Sequence, residues 1–182
     1  PIAVSRPWSA EEFPLLAQWL EDNQRPLALA LAASQRAEFY EPIVCGSDPI
    51  YTCPLPATTA ARRAARALVA RAMLCVERGD FDAAWRDLIA SHRLARLVPR
   101  GGGLVSAIAG SFIEKLACRA DHACAGRAPP NLLQTGRMLD DLRRLPPLPS
   151  FADRLDFVER LAYLDIVIAG AQAGPDAFDD KG

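Results

Sequence analysis

The sequence predicts an all-α protein built from antiparallel helical hairpins, with about seven helices. Apolar residues recur at helical spacing through most of the chain, and clusters of proline and glycine divide it into segments of helical length. About half of the 182 residues (51%) are apolar, which suits one folded domain with a sizeable core. We expect that domain to cover residues 1–173, with residues 174–182 as a flexible tail.

The charge balance argues against a general polyanion binder, because the formal net charge is −1. The charges are unevenly placed: residues 61–100 carry nine arginines against four acidic residues, whereas the segments on either side are acidic on balance. We interpret this as internal pairing between a basic centre and acidic ends, rather than as a nucleic-acid surface. No apolar run reaches the length of a membrane span, so none is expected.

The first half of the chain predicts three helices and one long loop. An extended arm over 1–7 precedes a helix from Ser9 to Asn23, which Ser9 and Glu12 can start as a capping box. A second, alanine-rich helix covers 27–37. The proline-rich loop 41–57 follows, and we expect its apolar residues to pin it to the core. Thr58 or Thr59 can then cap the first helix of a central hairpin.

This hairpin, at 65–98, carries the clearest pattern in the chain. Two apolar-periodic runs are separated by a short turn, in which Gly79 can adopt the left-handed conformation that ends a helix. Asp80 or Asp82 can then accept from the free N–H groups that start the second helix. The apolar stripe of that second helix comprises Phe81, Ala84, Trp85, Leu88, Ile89, His92 and Ala95.

Residues 79–84 (GDFDAA) resemble the turn of a tetratricopeptide repeat and the start of its second helix. Ala72 and Ala84 stand where that repeat needs small side chains, whereas Arg71 replaces the usual Leu and Leu88 the usual aromatic. The resemblance covers about one 34-residue unit. It implies a fold like the tetratricopeptide α-α superhelix, in which this unit packs on other helices, and a groove for a protein or peptide partner.

The whole layout is also similar to that of a group of bacterial all-helical proteins with no assigned activity. Three stretches carry this similarity: RPWSAEEFPLLAQWL, RALVARAMLCVERGDFDAAWRDLIASHRLARL and LRRLPPLPSFADRLDFVERLAYLD. Together they account for nearly all of the chain. The similarity implies a helical fold and no particular activity.

Three further helices are predicted after the hairpin. The fifth runs from Leu104 to about residue 125, the sixth starts at Asn131 and covers 132–145, and the last starts at a capping box of Ser150 with Asp153 and ends near 173. Because residues 161–168 are apolar on most sides, we expect the last helix to be central or docked on a partner. The expected apolar face of the fifth helix comprises Val105, Ile108, Ala109, Phe112, Ile113, Leu116 and Ala117.

The cysteines suggest one disulfide and a weak metal candidate. Cys45 and Cys53 flank a turn and could be bridged in an oxidising compartment. Cys118 and His122 lie four residues apart on one helical face, which is chelating geometry. A structural zinc site needs four ligands and no CxxC pair supplies the others, so we assign no metal. The chain begins at Pro1 rather than Met, so we expect a fragment whose upstream signal or anchor could be missing, and the compartment stays open.

His92 is expected to be a packed, hydrogen-bonded core histidine. A sharper interpretation places a polar pocket between the central hairpin and the last helix. Its binding residues would be His92, Arg93 and Arg96, with Asp156, Glu159 or Asp165 of the last helix. The chain lacks the common nucleophile, zinc, phosphate-loop and dinucleotide signatures, so no catalytic residue and no cofactor is assigned.

The sequence leaves two functions open. The first is a non-enzymatic interaction or scaffold module that binds a protein or peptide, with its oligomeric state undetermined. The second is a small-molecule-binding or hydrolytic enzyme that uses the polar pocket at His92. A solvent-open pocket joining His92 to Glu159 or Asp156 would favour the enzyme. A concave apolar groove without convergent polar groups would favour the binding module.

Overall fold

The computed structural model describes residues 2–46, 49–101, 103–127, 131–150, 152 and 158–173. In these residues the regular structure is helical throughout, without a β-strand, so the predicted all-α class with about seven helices is confirmed. The helices are α1 (Pro14–Asp22), α2 (Gln24–Ala33), α3 (Pro56–Glu77), α4 (Phe81–Leu97), α5 (Gly103–Arg127), α6 (Leu132–Arg143) and α7 (Arg160–Ala173). The predicted tail at 174–182 and Asp153 of the predicted capping box lie outside the described residues.

The core lies where α3, α4 and α5 pack on one another. Its largest fully buried side chains come from all three helices and include Leu68, Met73, Leu88 and Ile113. Trp8 joins them from the N-terminal segment and donates from Nε1 to the backbone oxygen of Ala70 at 3.0 Å. This hydrogen bond offsets the cost of removing the indole N–H from water. None of the described helices has the length and hydropathy needed to span a lipid bilayer.

The corner of the central hairpin has the geometry that the sequence predicts. Gly79 adopts a positive φ of 77°, and the Asp80 N–H donates to the Cys75 oxygen at 2.9 Å, which closes the end of α3. The Asp80 side chain accepts from the Ala83 N–H at 3.0 Å and so starts α4. The segment over 65–98 is therefore two antiparallel helices joined by a short turn.

Carboxylates from distant parts of the chain hold the first turns of α3 and α5. Glu41 accepts from the N–H groups of Ala57 and Thr58, at 2.6 and 3.0 Å. The prediction that Thr58 or Thr59 caps α3 is therefore wrong, because α3 begins earlier, after Leu55, which has no accepting side chain. Glu159 accepts from the Leu104 N–H at 2.7 Å in the same way. A carboxylate at either helix start also interacts favourably with the helix dipole.

The N-terminal elements differ from the prediction in their limits. Ile2–Val4 forms a short 3₁₀ turn rather than an extended arm. α1 begins at Pro14 rather than Ser9, because proline suits the first turn of a helix and lacks the N–H that a preceding turn would need. α2 covers Gln24–Ala33 and ends before Phe39. In the loop that follows, Ile43 and Val44 are exposed and do not pin it to the core.

Several apolar side chains predicted to be buried are exposed. On α5, Val105, Ile108 and Phe112 are exposed, because packing on α3 and α4 buries other positions of that helix, including Ala109 and Ile113. Leu133 and Leu139 of α6 are exposed as well. α7 is not a central helix: among its described side chains only Ala162 is buried. The exposed large side chains of α7 are Leu161, Tyr163, Leu164, Val167 and Ile168.

The close contact of α4 with α5 predicts that Gly110 cannot be enlarged. A Cβ at Gly110 would lie 2.6 Å from the Ala95 oxygen and would also meet ring carbons of Pro99. We expect Gly110→Ala to lower the free energy of unfolding by about 2 kcal/mol, because the backbone of one helix must move. The matched control is Gly136→Ala on α6, where the new Cβ meets nothing within 4 Å. Urea unfolding should show that this control is stabilised by about 0.5–1 kcal/mol; equal effects of the two changes would contradict the packing described.

Candidate functional site

A buried cluster of charged side chains lies between α4 and α5 and centres on His92. The ring is 2% exposed. Its Nδ1 lies 2.9 Å from Glu114 Oε2, and its Nε2 lies 2.9 Å from Asp121 Oδ2. Arg96, one turn further along α4, donates from Nη1 to the same Glu114 oxygen at 2.7 Å. Both ring nitrogens therefore face carboxylates, an arrangement that suits a ring donating from both of them.

Charge pairing rather than burial decides the protonation of this cluster. Burial alone would lower the pKa of His92, but the hydrogen bonds to Asp121 and Glu114 outweigh it and raise the pKa to about 9. Burial would raise the pKa of Glu114, but His92 and Arg96 lower it to about 2. At neutral pH His92 is thus a cation without a free lone pair. Such a ring cannot act as a general base, and the cluster joins two helices instead.

The same cluster contains the only group of possible metal ligands found among the described residues. His92, Glu114 and Cys118 place their ligand atoms within 4.8 Å of one another. A metal ion would have to replace the His92 proton and compete with the Arg96 guanidinium for Glu114. Burial and the neighbouring acids raise the pKa of the Cys118 thiol, which disfavours the thiolate ligand. The residues present therefore do not fit a metal ion, and the exposed His122 is not part of this group.

Two of the partners predicted for His92, Glu159 and Asp165, contact other groups instead. Glu159, just before α7, accepts from the start of α5, and Asp165 of α7 accepts from the Ile50 N–H at 2.9 Å, so these two carboxylates bind α5 and the loop. Asp156 lies outside the described residues. The acids at His92 come from α5 instead. Glu114 and Asp121 are seven residues apart, two helical turns, and this spacing on a partly apolar helix is the signal that sequence reasoning missed.

The other predicted residues lie at separate places. Arg93 and Arg96 both line a surface cleft away from α7. Cys45 and Cys53 form a disulfide, with their Cα atoms 5.2 Å apart, in the loop before α3. Among the described site residues, Arg96 therefore joins His92 through Glu114 and shares the cleft with Arg93, whereas Glu159 lies at the start of α5.

A second buried ion pair, between Arg71 and Asp87, escaped the sequence analysis. Arg71 of α3 donates from Nε and Nη2 to the two carboxylate oxygens of Asp87 on α4, each at 2.7 Å. The Asp87 side chain is 3% exposed. The contact is bidentate, which is the strong form of an arginine–carboxylate pair. Two features of the sequence could have indicated this pair. Arg71 stands at a core-facing position of α3, and Asp87 stands on α4 one turn before Ser91.

The pH dependence of stability tests the protonation of the cluster. The folded pKa of His92 lies above its ordinary 6.5, so its contribution is complete below about pH 6.5 and is lost as the pH rises to about 9. The depressed pKa of Glu114 gives a contribution that is complete above about pH 4.5 and lost towards pH 2. We expect the free energy of unfolding to fall by about 3 kcal/mol between pH 6.5 and 9 through this coupled network.

Urea unfolding of two histidine variants between pH 6.5 and 9 separates the contribution of His92 from that of the other groups. His92→Gln removes the titrating group and should flatten the slope between pH 6.5 and 9. His122→Gln is the matched control, because His122 is the other histidine of the chain and is exposed. The control should keep the slope of the original protein. A slope that survives His92→Gln unchanged would show that His92 is not held as a cation.

The Arg71–Asp87 pair gives a second test of buried charge. Arg71→Met leaves the Asp87 carboxylate buried without its partner, which we expect to lower the free energy of unfolding by about 3–5 kcal/mol. The double change Arg71→Met/Asp87→Leu removes both charges and should restore most of that loss, because the buried carboxylate is gone. Chemical unfolding of the two variants measures the difference. Equal losses would indicate that the charge of Asp87 is not the cause.

Two surface hollows complete the candidate sites. One, of about 470 Å³, is an apolar groove between α1–α2 and the start of α3. The other, of about 430 Å³, is a basic cleft where the ends of α2, α4 and α6 meet. Neither is lined by His92. Both hollows are open to a ligand, whereas the His92 ring is enclosed.

The chain matches no protein-family model, no curated protein and no solved structure. The similarity of residues 65–98 to a tetratricopeptide repeat and the wider similarity to bacterial helical proteins therefore stay predictions.

Proposed function

We propose that this chain is a non-enzymatic helical module that binds a protein partner in the groove between α1–α2 and α3. The occupant proposed is an amphipathic helix whose apolar face carries a neighbouring acidic residue. The observation that supports this most is the composition of the groove. Its lining is mostly apolar and comprises Trp19, Asn23, Pro26, Leu27, Ala30, Pro54, Leu55, Pro56, Thr59, Ala60, Arg63, Ala64 and Ala67.

The shape of the groove suits protruding apolar side chains. Small residues of α3 (Ala60, Ala64 and Ala67) lie along it at intervals of one helical turn, so they leave room between the helices. Trp19 stands at the groove with 46% of its surface exposed. A partner helix that inserts side chains at positions i, i+4 and i+7 would bury this exposed apolar surface. Tryptophan is also a frequent anchor of protein interfaces.

The charge at the groove selects an acidic partner. Arg63 is the one charged residue among the described residues that line it. Arg62 and Arg66 lie on the adjacent face of α3, where their guanidinium groups stand 5.5 and 5.2 Å from the centre of the Phe112 ring. This side of α3 is therefore positively charged next to the apolar surface. Opposite charge on the partner favours encounter and orientation more than it adds affinity.

The enzyme alternative finds less support in the site. It required a solvent-open pocket at His92, but the ring is 2% exposed and both of its nitrogens are hydrogen-bonded. A reacting group has no access to it. The apolar groove, in contrast, has the features that favoured the binding module.

Selection from a display library of amphipathic helical peptides about 15 residues long tests the proposal. The library fixes leucine on one face and varies the flanking positions between Glu, Gln and Lys. We expect acidic members to be enriched on the original protein. The charge-reversed variant Arg63→Glu should instead enrich lysine-bearing members, because the sign at the groove has changed.

A matched pair of phenylalanine variants locates the binding. Ala60→Phe fills the groove and should abolish enrichment. Ala125→Phe adds the same side chain at an exposed position of α5 outside the groove and should leave enrichment intact. Enrichment that survives Ala60→Phe, or that shows no preference for acid, would overturn the proposal.

A further inference from the structure

We propose that the cleft formed by the ends of α2, α4 and α6 is a binding site for a small polyanion of the phosphate-ester or polycarboxylate class. This proposal is independent of the peptide groove, since the two hollows share no lining residue. Five arginines line the cleft against one acidic residue, Asp141. They are Arg36, Arg93, Arg96, Arg100 and Arg144.

Two of these arginines are held in place by the protein itself. Arg96 donates from Nε to the Pro146 oxygen at 2.9 Å and from Nη1 to Glu114. Arg100 donates from Nη1 to the Ala37 oxygen at 2.6 Å. Their guanidinium groups are therefore oriented before any ligand arrives, and less side-chain entropy is lost on binding.

The other three arginines of the cleft have no carboxylate partner in the described part of the protein. Arg36, Arg93 and Arg144 take part in none of the ion pairs formed within the described ranges. Asp141 is the one carboxylate in the lining, and its Oδ2 accepts from Trp85 Nε1 at 2.9 Å. The cleft thus concentrates unpaired positive charge in a chain whose net charge is −1.

The helix ends do not remove this excess. α2, α4 and α6 all finish at the cleft, and the C-terminal end of each helix carries about half a negative charge. Three such ends supply about one and a half charges. Among the side chains, the five arginines face two carboxylates, Asp141 in the lining and Glu114 beside Arg96. This leaves an excess of three positive charges before the helix ends are counted. A positive surplus therefore remains, and a bound anion would relieve the repulsion among the arginines.

The size and lining of the cleft indicate a small ligand rather than a nucleic acid. Its volume of about 430 Å³ falls within the range of small-molecule pockets. No aromatic residue is among the described residues that line it, so bases would find no stacking surface. Leu97 and Leu145 offer apolar contact to a short carbon skeleton. Arginine forks match the planar oxygen pairs of both phosphate and carboxylate, which is the chemistry the two ligand types share.

Isothermal titration calorimetry with inorganic pyrophosphate and with citrate tests the proposal and distinguishes the two ligand types. The measurement is made on the full chain at low salt, with sodium chloride at equal ionic strength as the reference. We expect saturable binding of at least one polyanion and none of chloride. Tighter pyrophosphate binding would assign the site to phosphate esters, and tighter citrate binding to polycarboxylates.

Charge-neutralising variants then locate the site. Arg93→Gln/Arg144→Gln should weaken binding by about tenfold or more, because two charge-assisted hydrogen bonds are lost. Arg93 and Arg144 lack ion pairs within the described ranges, so their replacement should leave the fold intact. Arg36→Gln, a single change at the exposed rim of the cleft, is a second variant of the same site. The control Arg25→Gln/Arg119→Gln removes the same charge from exposed positions outside the cleft. Absence of saturable binding, or equal weakening by the control, would overturn the proposal.

Discussion

The contact between α4 and α5 is the constraint on which the rest of the structure depends. Apolar burial draws the two helices together but is non-directional, so it does not by itself fix their register. Two local features fix the register of α4 on α5. The missing side chain at Gly110 lets α5 approach the end of α4, and His92 and Arg96 must meet Glu114 at hydrogen-bond distance. A charge that loses its partner in a buried site is costly, so a slipped register would be disfavoured.

The uneven charge along the sequence has a structural meaning that differs in part from the internal pairing expected. Acidic residues of the outer segments, such as Glu41 and Glu159, bind backbone N–H groups at helix starts rather than the central arginines. Some central arginines pair with nearby acids, as Arg71 does with Asp87. Others, including Arg63 and Arg93, line surface hollows. The acidic outer segments thus supply carboxylates that bind helix starts, and several arginines of the central segment remain at the surface.

The two hollows differ in chemistry because different parts of the helices form them. The apolar groove lies along the sides of helices, where small and apolar residues alternate at helical spacing. The basic cleft lies where helices end, and cationic side chains are favoured near the negative ends of helix dipoles. Arg96 belongs to both the cleft and the buried cluster, so the contact that fixes α4 on α5 also shapes the cleft wall.

The sequence alone determined the helical class, the corner at Gly79 and the start of α4 at Asp80. These features depend on residues within one turn of each other, where periodicity, a left-handed glycine and a capping side chain act directly. Only the tertiary structure decided the partners of His92 and the side of α5 that faces water. Such choices depend on which helix packs beside which, and helical spacing is the same for every candidate partner. The prediction therefore found the polar residue but chose α7 over α5, the helix that closes against it.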